Sequence, residues 1–432
     1  MVPAGHRYGL PTIERYITLV QASVTSLRGA SRALPLLAEP PEAERTPVWT
    51  TGRGWWLRLG YYKLTRAKTV ATDWVWIVDH TIQLGAEKCL VILGVRLSEL
   101  PTEDLVLHHE QVEPLAVLPV RHSDRKVVCA QLEATQQRTG MPREILSDHG
   151  SDLHAGISDY CQAHPSCCAV YDIKHQTAAV LKKELHHDAS WETFTNYAHQ
   201  VRIELQQTSV AALAPPNQRS KARYLNLEGL IRWGQRGLQL LEQPQRLVDA
   251  GLDPAQVQAR LGGLTWFRSH VAEWQGLLDT VMTAEHLVRH RGLDRGCLAA
   301  LETAWPVVAP SESIARVQQH LRTFVATESQ KAHDHERLLG SSEVLESVLG
   351  KLKYLEGDRA SHGFTQLLLS VPALVATTTR EVIRQALESV PRQKLREWAD
   401  QHLGKSLQTQ RRMLFAGCAK KEQNRVQLED AA

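Results

Sequence analysis

Apolar positions between Thr12 and Leu37 recur at intervals of three and four: Ile13, Tyr16, Ile17 and Val20, then Leu27, Ala30 and Leu34. That period predicts two helices with one buried stripe each. Val24-Thr25-Ser26 separates them, with Thr25 or Ser26 placed to cap the second. Helix, short turn and helix, with Arg28 and Arg32 on the second, is the outline of a helix-turn-helix over residues 1–70. After a Pro-rich connector at 39–42 comes an aromatic and basic cluster, Trp49 to Lys68. It suits phosphate contact and base stacking, or equally a third helix packed on a neighbouring core.

From Trp74 the period becomes that of strands. Val75-Trp76-Ile77-Val78-Asp79 predicts a buried strand ending in an acid, Lys88 to Val95 a second, and Val112 to Val120 a third. Ser123 is placed to cap a helix that stops at Gly140. A short strand at 144–148, a helix at 152–163, a fifth strand at 167–173 and a further helix follow. Three strands leading into alternating helices and strands is the succession of an RNase H-like core with a mixed five-stranded sheet. Beyond Lys174 the pattern is helical, with helices near 174–187, 190–212, 222–243, 264–290, 294–304, 312–330, 342–355 and 379–402. Breaks fall at Pro215-Pro216, Gly262-Gly263 and Pro306 to Pro310.

Composition narrows the function classes. At 432 residues the chain exceeds what one core usually serves. Its 43% hydrophobic and 22% charged residues are those of a soluble globular protein. No stretch approaches a membrane span or a secretory leader, so the expected location is cytoplasmic and nucleoid-associated, with no membrane partner. The seven cysteines never fall as C-x-x-C, which removes the signal for zinc or a disulfide framework. Residues 1–72 hold ten Lys and Arg against four Glu although the whole chain nets only +3. The basic excess therefore sits at the N-terminus, where it points to phosphate. Arg28, Arg32, Arg53, Arg58, Lys63 and Arg66 are the candidate DNA contacts.

The chemistry lies in two acids. In this strand order the strands ending in Asp79 and Asp148 lie side by side, bringing two carboxylates together at one sheet edge. Like charges so close favour a cation between them, and hard oxygen donors select Mg²⁺ or Mn²⁺. Two such ions about 3.5–4 Å apart can assist both oxygens of an in-line displacement at phosphorus. An Asp before a turn is also a common capping residue, so the paired contexts matter more than either acid alone.

Ser147-Asp148-His149-Gly150-Ser151-Asp152-Leu153 resembles the S-D-N-G-x-E-F segment of retroviral integrases and related DDE-type transposases. There the Asp is the second metal ligand, and Asp79 is similar to their first. His149 stands for Asn and Asp152 for Glu. The third acid stays open. Integrase-like enzymes often place a Glu after 35 intervening residues, which selects Glu184, about ten residues into its helix and ~15 Å along the axis. Asp172 and His175 are nearer that helix's start. Ser342-Glu343-Val344-Leu345-Glu346-Ser347 is similar to the S-x-x-S-E-R helix of hAT-type transposases, where the Glu follows a long helical insertion. That resemblance favours Glu346, with Glu343 as a first-turn alternative; Lys351 and Lys353 follow it on the same helix as candidates to hold a cleaved strand's phosphate.

The expected organisation is a helix-turn-helix at 1–70, a catalytic core at 71–187, an all-helical insertion at 188–338, closing helices at 339–410 and a basic tail at 411–432. The function implied is two-metal DNA cleavage at transposon ends and strand transfer, on double-stranded DNA and as a homodimer or larger assembly. The alternatives are a domesticated, DNA-binding derivative without cleavage, and a helical scaffold whose acids are structural.

Overall fold

The computed structural model describes residues 2–23, 25–37, 46–82, 87–148, 150–186, 188–218, 227–306, 310–357, 363–404, 409 and 411–415. The Pro-rich connector at 39–42, His149 and most of the expected basic tail lie outside these residues.

The described chain forms two compact units. The first takes Met1–Pro101, Val106–Val170 and Ser342–Ala432, and the second Thr102–Leu105 and Tyr171–Ser341. Three helices open the first unit: α1 (Leu10–Gln21), α2 (Leu27–Leu37) and α3 (Trp49–Thr65). Then come β1 (Trp74–Ile82), β2 (Lys88–Arg96), β3 (Glu113–Val120), α4 (Arg125–Thr139), β4 (Pro142–Ser147), α5 (Ser151–Ala163) and β5 (Cys168–Tyr171). The second unit is helical: α6 (Ile173–His186), α7 (Ala189–Leu205), α8 (Glu228–Glu242), α9 (Pro244–Asp249), α10 (Pro254–Leu261), α11 (Arg268–Arg291), α12 (Cys297–Ala304) and α13 (Glu312–Ser329). The chain then returns to the first unit with α14 (Glu343–Glu356), α15 (Ser370–Leu374), α16 (Arg380–Ser389) and α17 (Arg392–His402).

The strands form one mixed sheet in the order β3-β2-β1-β4-β5. β1 runs antiparallel to β2 and parallel to β4, and β2 antiparallel to β3. Central strands are covered on both faces and so carry unbroken apolar runs; Val75 to Val78 and Cys89 to Leu93 are fully buried. One face meets α4 and α5, where Trp74, Trp76, Val78, Leu90, Ile92 and Ile145 pack with Val128, Leu132, Leu153, Ile157 and Tyr160. α4 ends at Gly140 with φ +83°, and a Cβ there would lie 2.3 Å from the Ala71 carbonyl oxygen. Only glycine allows both the left-handed stop and the close approach.

Several boundaries differ from those expected. Asp124, not Ser123, caps α4, accepting from the backbone N–H groups of Lys126 and Val127. β1 continues three residues beyond Asp79, because His80, Thr81 and Ile82 still pair with Leu90, Cys89 and Lys88. The helix expected at 190–212 ends at Leu205, and that expected at 379–402 is two helices parted at Val390-Pro391. Proline disfavours helical backbone in the residue before it.

α3 carries most of the aromatic and basic cluster. Trp55, Trp56, Leu57, Leu59 and Leu64 are all buried. The helix packs on α15, α16, α17 and β3, and the Trp56 indole donates to Ser370 Oγ at 2.9 Å. A Cβ on Gly60 would lie 1.8 Å from the Leu369 carbonyl oxygen. Gly60→Ala is therefore expected to destabilise the fold by about 1–3 kcal/mol of overpacking, less the modest helix-propensity gain, and so to lower the urea midpoint. An unchanged midpoint would contradict this close approach.

In the second unit, α11 packs on α6, α8, α12 and α13. Trp191, Phe194, Phe267 and Trp274 form its aromatic centre. Among the described residues no helix is long and apolar enough to cross a membrane.

Candidate active site

The parallel ladder between β1 and β4 ends at the pair Val78 and Ser147. Asp79 and Asp148 are the next residue on each strand, so their backbones leave the ladder as neighbours, about 4.8 Å apart across the sheet. Both are half-buried. Asp79 Oδ1 accepts from the backbone N–H of His80 at 2.6 Å, and Asp148 Oδ1 from that of Gly150 at 3.2 Å, at the entry to α5. Trp74, Trp76 and Val78 point into the α4–α5 core, so side-chain alternation sends Asp79 to the opposite face.

α14 packs against β1. Leu345, Val348, Leu349 and Leu352 are its buried stripe, and Glu346 stands half-buried in its first turn. Ser342 occupies the N-cap position, and its side chain makes no capping bond. One turn on, Ser347 Oγ lies 3.1 Å from His109 Nε2 and Lys351 Nζ 3.2 Å from His109 Nδ1. Asp79, Asp148 and Glu346 therefore belong to the same unit. Among the described residues, their oxygens do not form a set lying within 4.8 Å of one another.

Of the other candidates, Glu343 opens α14 in the first unit, whereas Glu184, Asp172 and His175 belong to the second. Glu184 pairs with Arg316 of α13, its side chain 17% exposed. It lies eleven residues beyond the first residue of α6. Asp172 is fully buried and accepts from the His175 backbone N–H at 2.9 Å, with His175 Nδ1 at 3.1 Å. It caps α6.

A polar network beside Asp79 escaped the sequence reading. Lys88, at the start of β2, donates to both oxygens of Asp152 at 2.8 and 2.7 Å. His80 Nδ1 lies 3.9 Å from Asp152 Oδ2, and His80 Nε2 lies 3.5 Å from Ser123 Oγ. Burial alone would raise the Asp152 carboxyl; hydrogen bonds from Lys88 and Ser123 outweigh it and draw it to about 2. Burial likewise lowers the His80 imidazole, assisted by Lys88 and opposed by Asp152 and Asp148. Asp152 is thus held by Lys88, which links α5 to β2. The only sequence signal was the acid in the motif's sixth position, where Asp152 stands for Glu; its lysine partner lies 64 residues away.

The sign of this ion pair is testable. A carboxyl depressed from 3.8 to about 2 contributes stability that is present above pH 3.8 and lost as pH falls through about 2. Lys88→Met is expected to remove most of that acid-sensitive increment. Urea midpoints at pH 5 and pH 3 should then converge relative to wild type, and an identical pH dependence would refute the pairing.

The expected DNA contacts divide by burial. Arg28 and Arg32 are exposed on α2, Arg28 lying over the Trp49 ring at 4.9 Å. Ser26 Oγ accepts from the Gly29 N–H at 3.0 Å, as a cap there should. Arg53 Nη2 reaches Gln366 Oε1 at 3.4 Å, and Arg66 pairs with Glu113. Lys63 corrects the sequence reading: it is fully buried, and its ammonium is held by Val375, Ala376 and Thr378. No duplex reaches it there.

No family model matches the chain, and no curated protein matches it. Among solved structures the chain is similar to one in the Drosophila P element transposase strand transfer complex. The identity is 10%, the coverage 88% of this chain and 92% of that one, and the TM-score 0.36. A likeness at this level decides neither fold nor function.

Proposed function

We propose that this chain is a DDE-type transposase with an RNase H-like catalytic core, cleaving DNA at transposon ends and transferring the freed 3′-hydroxyl to target DNA. The observation that carries this reading is the position of Asp79 and Asp148, one step beyond a parallel ladder at the centre of a sheet ordered β3-β2-β1-β4-β5. Glu346, in the first turn of the helix packed on β1, is the third acid in this reading.

Three carboxylates are a hard oxygen donor set that fits Mg²⁺ or Mn²⁺, and Asp79, Asp148 and Glu346 would hold the ions. When bound, a pair of such ions supplies charge neutralisation at the attacking and leaving oxygens. The chain's own residues give the fixed frame. β1 and β4 hold two acids at neighbouring positions, and the Lys88–Asp152 pair ties α5, just after Asp148, to β2. In this reading Arg28 and Arg32, exposed on α2, contact the duplex backbone, with Arg53 and Arg66 as lesser contributors. Cleaving two ends calls for at least a dimer.

The test is a nicking assay with purified protein, Mn²⁺ or Mg²⁺, and DNA carrying the sequences that flank the gene. Metal-dependent strand cleavage is expected, and none at any metal concentration would sink the proposal. The second reading, a derivative that binds DNA without cutting, is favoured by one observation: the three carboxylates are not gathered within 4.8 Å of one another. It predicts salt-sensitive binding with no metal-dependent product.

A further inference from the structure

The first unit contains a cavity of about 350 Å³ whose lining holds four basic side chains, His6, Arg7, Arg58 and Arg392, and no acidic one. His6 and Arg7 precede α1, Arg58 comes from the middle of α3, and Arg392 is the first residue of α17. Three chain segments far apart in sequence therefore aim positive charge at one space.

The charges are arranged in an unusual way. His6 Nε2 lies 2.9 Å from Arg58 Nη1. Burial and then Arg58 lower the histidine, with a further push from Arg392. It is thus a neutral acceptor that orients Arg58. Burial and then Arg392 lower the Arg58 guanidinium as well. Arg58 Nε is buried without a hydrogen-bond partner. Among the described residues none of the three arginines has a carboxylate within ion-pair distance. The nearby Glu388, whose charge reaches His6, lies 3.7 Å from Arg384.

Guanidiniums that repel one another around a cavity are stabilised by an anion with several acceptor oxygens. A phosphoryl group matches the arginine fork and accepts several charge-assisted bonds at once. The cavity has room for roughly ten waters at ~30 Å³ each, enough for a phosphate and part of what it is attached to. It also runs along the N-terminal half of α3, from Val48 to Arg58, where the helix dipole favours negative charge.

We infer that this cavity is a phosphoryl-binding site, taking free phosphate or pyrophosphate, or one phosphate of a DNA backbone. It stands independently of the strand-end acids, so cleavage assays and this test fail separately.

The test uses the full-length protein and Arg392→Gln, an exposed position whose change should leave the melting temperature unaltered; Arg58→Gln is the second variant. Pyrophosphate is titrated calorimetrically, and a labelled 20-base-pair duplex by anisotropy at several salt concentrations. Saturable pyrophosphate binding weakened at least tenfold in Arg392→Gln supports the site. If pyrophosphate also competes with the duplex, and the variant's log K against log salt slope is shallower by about 1, the backbone is the source. If the duplex slope is unchanged while pyrophosphate binding falls, the source is free phosphate. No saturable pyrophosphate binding together with identical duplex slopes, or binding unaltered in both variants, overturns the inference.

Discussion

Asp148→Asn should reduce metal-dependent nicking by at least about a hundredfold while leaving duplex binding within twofold. The substitution keeps the shape and the bond from the Gly150 N–H, since the amide oxygen can still accept it. What it removes is one negative charge where the proposed cations bind. Losing a single electrostatic contact to a transition state commonly costs about 10²–10³ in rate, and a metal ligand should cost no less. Asp79→Asn should behave alike, because it stands at the same step on the neighbouring strand. The third acid is decided by a contrast. Glu346→Gln should be nearly as damaging, whereas Glu184→Gln should lose only its pair with Arg316, whose side chain is 56% exposed and so adds little. Rates are read from single-turnover nicking, with anisotropy reporting binding. Asp148→Asn nicking at the wild-type rate would remove the mechanism.

The sheet was readable because its strands are buried on both faces and written as continuous apolar runs. Asp79 and Asp148 followed from strand order together with the local motif. The end of β1 was hidden because His80-Thr81 reads as polar and turn-like, yet those residues keep their ladder with β2 after β4 has ended. Local pattern does not report which of two neighbours a strand loses first. The Lys88–Asp152 pair was illegible for a related reason, since its two halves meet only through the sheet's pairing. The third acid resisted because a motif at fixed spacing and a motif after a long helical stretch make equal local claims. By contrast, Pro391 was a visible helix breaker inside the stretch expected as one helix at 379–402.

The basic cluster of α3 shows the limit of reading charge from composition, and Lys63 gives the sharpest test of it. Lys63 Nζ donates at 2.6 Å to the Val375 carbonyl, 2.8 Å to that of Ala376 and 2.6 Å to Thr378 Oγ1. Three acceptors match the three protons of an ammonium. They also secure Ala376, a non-glycine residue at φ +57°, where backbone strain must be held by its surroundings. Lys63→Ala leaves two buried carbonyls without this donor and is expected to destabilise the fold by roughly 3 kcal/mol or more. Lys63→Met, which keeps most of the apolar stem, should recover only the packing part. Burial, with help from Arg66 and Lys68 against Glu113, draws the amine from 10.5 to about 7. The native state therefore binds fewer protons here than the unfolded chain between about pH 7 and 10.5, so this group's contribution to stability rises with pH across that window. The gap in urea midpoint between wild type and Lys63→Met should accordingly widen from pH 6 to pH 9. A Lys63→Ala protein as stable as wild type, but with weakened DNA binding, would return this lysine to the surface role its sequence context suggested.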